Sequence, residues 1–139
     1  MNHMLLPLRR YADFNGRSRR REYWMFALFQ ILVYSGWALF FFAAVPSGLT
    51  WTGEPLVLLL LALPVLFLLA MIVPNIAVQV RRFHDMNMSG WFYFLNFIPY
   101  VGGFVVLVFN VIDGTRGPNR YGADPKERAD QDVLQEVFA

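Results

Sequence analysis

The sequence predicts an all-α polytopic membrane protein with two long transmembrane helices and a third hydrophobic segment broken by Pro and Gly. Three observations carry this. Of the 139 residues 57% are hydrophobic and the mean hydropathy is positive, a share that a soluble domain of this size would have to expose to water. Two long runs, 24–45 and 56–80, contain no Asp, Glu, Lys or Arg. The charges that do occur gather in short clusters between and beyond those runs. The length fits one domain, 1–139. The absence of cysteine removes disulfides, thiolate metal sites and thiol nucleophiles from consideration. Of the 12 basic residues only Lys126 is not arginine, and arginine suits bidentate contact with carboxylate or phosphate.

The Arg-rich segment 1–23 comes first. Asn15 and Gly16 read as a turn, and Ser18 as the N-cap of a helix whose first turn carries Arg19, Arg20 and Arg21. Cations in that position oppose the helix dipole. A negative group has to compensate, either lipid phosphate or carboxylates from elsewhere in the chain. Tyr23 and Trp24 suit an interfacial aromatic belt. The run 24–45 would reach roughly 33 Å as a helix, enough to cross the hydrocarbon core. It exceeds the roughly 7–15 residues of a signal-peptide core, so it is expected to stay as an anchor. The following segment, 46–55, has no Lys or Arg, which by the positive-inside rule places it outside and the N-terminus in the cytoplasm.

The run 56–80 is the second span, with Pro64 and Pro74 as kinks that need neighbours for the freed carbonyls. Asn75, Gln79 and Arg82 fall at i, i+4 and i+7 and form one polar stripe. Either the helix is leaving the membrane there, or the stripe faces protein or a wet cavity. Next comes a polar island, Arg81-Arg82-Phe83-His84-Asp85. Arg81 and Asp85, spaced i, i+4, are expected to pair on a helix that overruns the membrane. The island reads as a topological anchor with a salt bridge, or as acid–base chemistry by His84 with Asp85 as its orienter. No metal is expected, since a site needs three or four ligands and the other histidine is His3.

The third apolar segment, 91–112, is interrupted by Pro99-Tyr100-Val101-Gly102-Gly103, a turn signal. It is either a third crossing or a helical hairpin. Charge favours the hairpin, which returns Arg116, Arg120, Lys126 and Arg128 to the side of the other basic residues. Residues 113–139 form a soluble loop and a short C-terminal helix. The stretch Gly114 to Gly122 reads as a surface loop of turn formers rather than a phosphate cradle of Walker type. Asp124 and Pro125 supply an N-cap and first position for the tail helix, with Val133, Leu134, Val137 and Phe138 as its apolar edge.

Three blocks carry a resemblance: Gly16-Arg17 with Arg20-Arg21-Glu22-Tyr23-Trp24; Arg81 to Asp85 with Ser89-Gly90-Trp91; and Asn119-Arg120-Tyr121-Gly122-Ala123-Asp124-Pro125. In this order they resemble the signature blocks of the YhaH-like bacterial inner-membrane proteins, domain of unknown function 805, over about Gly16 to Pro125. The resemblance implies a bacterial inner (cytoplasmic) membrane location and brings no catalytic residue or cofactor. Met86-Asn87-Met88 and the acidic tail after Pro125 depart from the pattern.

Three functions fit these residues. The first is a non-enzymatic binding or scaffold protein whose Arg-rich cytoplasmic collar, Arg19, Arg20, Arg21, Arg81, Arg82, Arg116 and Arg120, engages anionic lipid headgroups or a membrane protein partner. Glu22, Asn75, Gln79, His84, Asp85, Asp113 and Asp124 would then form a polar network that neutralises part of the collar. The second is a homo-oligomeric transporter or channel lined by Asn75, Gln79 and Arg82. The third is a small membrane enzyme acting on a phosphate-bearing lipid with His84 and Asp85. Nucleic acid is a poor partner, because the basic residues adjoin membrane spans.

Overall fold

The computed structural model describes residues 4–44, 55–127 and 134. Its elements are α1 (Leu6–Arg9), α2 (Arg20–Ala44), α3 (Pro55–Asp85), a 3-10 helix (Gly90–Phe97) and α4 (Gly102–Val111). Both α2 and α3 are long and apolar enough to cross a membrane. Their outer faces are bare hydrocarbon: on α2 Leu39 is 69% and Phe42 79% exposed, and on α3 Leu66 is 58% exposed, surface that water would not tolerate over two whole helices.

Helix α2 starts at Arg20, not directly after Ser18. Ser18 is fully buried, its amide donates to the Arg81 carbonyl (3.1 Å), and its hydroxyl has no partner among the described residues. It ties the entry of α2 to the end of α3 instead of capping a helix. The two helices pack through Phe26, Met71 and Val78, with Leu8, Tyr23, Phe29 and Phe67 around them. Tyr34 and Trp37 meet Phe67 edge-on at 5.6 Å.

The 31 residues of α3 span about 46 Å, well beyond a hydrocarbon core of about 30 Å. The helix therefore carries Arg81 to Asp85 past the apolar run. Pro74 lacks an N–H, which frees the Ala70 carbonyl; the Tyr11 hydroxyl donates to that oxygen, so the segment containing α1 lies along α3. At its end Met88 N–H bonds the Phe83 carbonyl and Asn87 N–H the His84 carbonyl, both at 3.0 Å. With Asn87 at φ 59 this is a Schellman stop, with asparagine in place of glycine.

After this stop the chain forms the 3-10 helix, opened by Ser89, whose hydroxyl accepts from Trp91 N–H. It turns at Ile98 to Val101, where Tyr100 sits at φ 65, and Gly102 N–H closes the turn on the Ile98 carbonyl (3.0 Å). The end of α4 is tied to the other two long helices. Arg82 donates to the Phe109 and Ile112 carbonyls, Trp24 Nε1 to the Asn110 carbonyl (3.3 Å), and Arg20 to the Val111 carbonyl (2.8 Å). Gly90, at the other end of the segment, lies against Val80 and His84 of α3.

In the tail, residues 125–127 are helical and the Asp124 carboxylate accepts from Lys126 N–H at 2.8 Å. Most of the expected tail helix, with Val133, Val137 and Phe138, lies outside the described residues; Leu134 is exposed.

Candidate functional site

The last carbonyls of a helix have no partner within it, and at α3 the 113–125 loop supplies them. Thr115 gives both its N–H (2.9 Å) and its hydroxyl (3.0 Å) to the Asp85 carbonyl, and Asn119 Nδ2 donates to the His84 carbonyl (2.9 Å). Asn119 and Gly122 exchange backbone bonds at 3.0 Å, which closes the loop and sets Tyr121 flat on His84, ring centres 3.8 Å apart. Gly114 is needed by contact: a Cβ there would collide with the Asp85 carboxylate.

Beneath this loop lies a buried ion belt. Asp85 accepts from Arg17 Nε (3.0 Å) on one oxygen and from Arg82 Nη1 (2.7 Å) on the other. Glu22 holds Arg81 at 2.9 Å. Arg81 therefore pairs across to α2, not with Asp85. At i, i+3 it is Arg82 whose guanidinium shares Asp85's face, and the i, i+4 expectation is corrected. Arg17 also donates to the Gly117 carbonyl (2.6 Å) and to the Thr115 carbonyl. Arg81 donates to the Asp13 carbonyl (2.7 Å). Three guanidiniums thus join four chain segments around two carboxylates.

The remaining collar residues divide by exposure. Arg81 and Arg82 are fully buried and present nothing to a headgroup. Arg120 is spent on the Asn87 carbonyl (2.9 Å) and on the Tyr121 ring. Arg19 donates to the Pro125 carbonyl. Arg20 meets Asp113 at 2.6 Å, and Asp113 also takes Lys126 at 3.1 Å; the Lys126 bond leads the causes holding the Asp113 pKa below the ordinary carboxylate value. Burial pushes Asp124 upward, but the Lys126 and Gly117 amides and Arg17 outweigh it, and the net shift is downward. Arg21 and Arg116 are exposed and have no ion pair among the described residues. Arg19, Arg20, Arg21, Arg116 and Lys126 line one cleft of about 310 Å3, whose acidic lining is Asp85, Asp113 and Asp124.

The polar stripe turns inward on α2. Asn75 and Gln30 exchange two amide hydrogen bonds, 2.8 and 3.1 Å, Gln79 is buried, and Arg82 is in the belt. His84 Nδ1 faces the Gly16 carbonyl at 3.3 Å, so its ring is oriented by backbone and by Tyr121, while Asp85 is occupied by arginines. Sequence reasoning missed Arg17 and Gln30 as site residues. Both had a visible signal: Arg17 stands in the first signature block, and Gln30 is a polar interruption in an uncharged span.

Two long apolar helices locked at one end by a buried arginine and carboxylate belt define a polytopic helical membrane protein. The chain belongs to the family described as "Protein of unknown function (DUF805)", whose model matches residues 11–123. It is similar to inner membrane protein YhaI of Escherichia coli (strain K12), 40% identical over 126 residues, covering 91% of this chain and 97% of the relative. Inner membrane protein YhaH of the same strain is 37% identical over 129 residues, covering 91% and 98%. No solved structure matches it. The chain is a multi-pass protein of the bacterial inner membrane.

Proposed function

We propose that the chain is a non-enzymatic binding protein whose cytoplasmic arginine cleft takes the phosphate of an anionic lipid headgroup. The observation that carries this reading is the 310 Å3 cleft in which Arg21 and Arg116 are left without a carboxylate among the described residues. Cations beside an anionic leaflet contribute about 1 kcal/mol each. Replacing both, Arg21→Gln with Arg116→Gln, is expected to weaken retention of anionic lipid by about 2 kcal/mol, or about 30-fold, with the thermal midpoint unchanged. Native mass spectrometry of the detergent-purified full chain reads bound lipid and oligomeric state together. Wild-type protein that carries no anionic lipid would end this reading in favour of a protein partner.

The same reading requires one orientation. We place both the N-terminal collar and the 113–127 loop in the cytoplasm, with 91–112 as a re-entrant hairpin. Support comes from the bond that brings Ile112 to Arg82 and the close approach of Gly90 to Val80 and His84, and from the basic residues gathered at that end. A thiol at Ala123→Cys is expected to resist a membrane-impermeant maleimide on cells with a permeable outer envelope, while one at Ser47→Cys reacts. Rapid labelling of Ala123→Cys would place the loop outside.

A further inference from the structure

Beside the belt, a second cavity of about 480 Å3 opens between α2, α3 and the 3-10 helix, within the roughly 300–1,000 Å3 of small-molecule pockets. Its lining combines aromatic rings with hydrogen-bonding groups that the protein leaves unused. Gln79 is only 8% exposed, lines the cavity, and its Nε2 has no partner among the described residues. Tyr23, Tyr34 and Tyr93 line it too, and their hydroxyls have no partner among the described residues. Gln30 and Asn75, also in the lining, satisfy one another. Gln79 and Asn75 lie six and ten residues before Asp85, about 9 and 15 Å down α3 toward the membrane middle. Gln79 is buried there, where an unmade hydrogen bond is expensive.

No charged side chain among the described residues lines it, so an anion or cation has no counter-charge there. Tyrosine hydroxyls and an amide N–H together suit an uncharged acceptor oxygen. We infer that this cavity binds the carbonyl end of a long-chain amphiphile, with Gln79 and the tyrosine hydroxyls as donors and the tail leaving between the helices into the bilayer. Two membrane sources share that chemistry: the ester carbonyls of a diacyl glycerolipid and the ring carbonyls of an isoprenoid quinone. The site is separate from the arginine cleft and does not depend on it.

The test titrates the full chain in detergent with a short-chain diester phosphatidylcholine, its dialkyl ether counterpart and a short-tailed benzoquinone, reading tryptophan and tyrosine fluorescence. A glycerolipid site binds the diester about tenfold or more tightly than the ether; a quinone site binds the quinone saturably and treats diester and ether alike. In either case Tyr93→Phe and Gln79→Leu are each expected to weaken binding about three- to tenfold, the loss of one hydrogen bond, while Arg21→Gln leaves it unchanged. Tyr93→Phe keeps the ring and the packing, so it decides the matter even where Gln79→Leu folds poorly. Binding of ester and quinone that is absent in wild type, or unaffected by Tyr93→Phe and Gln79→Leu, overturns the inference.

Discussion

Asp85→Asn is expected to lower the stability of the purified protein by about 3–5 kcal/mol, the range for breaking a buried pair from one side. The change keeps the shape of the side chain and removes its charge, so both Arg17 and Arg82 lose their buried counter-ion at once. Neither guanidinium has another carboxylate in contact among the described residues, and neither can reach water without leaving the belt. Against a total of about 5–15 kcal/mol for a typical fold, much of the protein should then unfold or aggregate. Thermal unfolding in detergent, followed by size-exclusion chromatography, measures this. The exposed carboxylate Asp113, which holds Arg20 and Lys126, serves as the comparison, and Asp113→Asn should change the midpoint little. Adding Arg17→Gln to Asp85→Asn should recover part of the loss, since one uncompensated charge leaves with it. Equal midpoints for Asp85→Asn and wild type would show that the belt does not hold the fold.

A second large effect is expected at Gly102, where a methyl group would strike the Leu95 carbonyl oxygen and come within 2.9 Å of its carbon and 3.3 Å of Ile98 Cβ. The obstacle is backbone from the neighbouring 3-10 helix, which no rotamer change can move aside. Overpacking of this kind costs about 1–3 kcal/mol, and Gly102→Ala should reach the upper end or separate the two arms. The adjacent glycine gives the matched control. A Cβ at Gly103 meets nothing within 4 Å, and alanine is favoured over glycine in a helix by about 1 kcal/mol, so Gly103→Ala should be neutral or stabilising. Similar melting behaviour of the two variants would sink the close packing of the arms.

The spans were legible because hydrophobic runs announce themselves one residue at a time. Trp24 to Ala44 and the apolar body of α3 follow from length and lack of charge. The helix boundaries were less legible. Ser18 has the chemistry of an N-cap, yet its amide is drawn to the Arg81 carbonyl at the far end of α3. The stop at Asn87 was equally hidden, since asparagine signals a left-handed residue only weakly compared with glycine.

Pairing inside the belt depended on three dimensions. By itself the sequence determined that this is a helical membrane protein, that arginines and carboxylates collect at one end of its spans, and to which family it belongs, since these rest on composition, run length and motif order. Only the tertiary structure decided that Asp85 takes Arg17 and Arg82, that Glu22 takes Arg81, and that Arg21 and Arg116 have no ion pair among the described residues. It alone also placed Gln30 against Asn75 and left Gln79 facing a cavity. The reason is physical. Transfer of a side chain into lipid depends on that side chain, whereas a buried charge or amide is stable only beside the partner the fold brings within about 3 Å, and spacing along the chain does not say which partner that is.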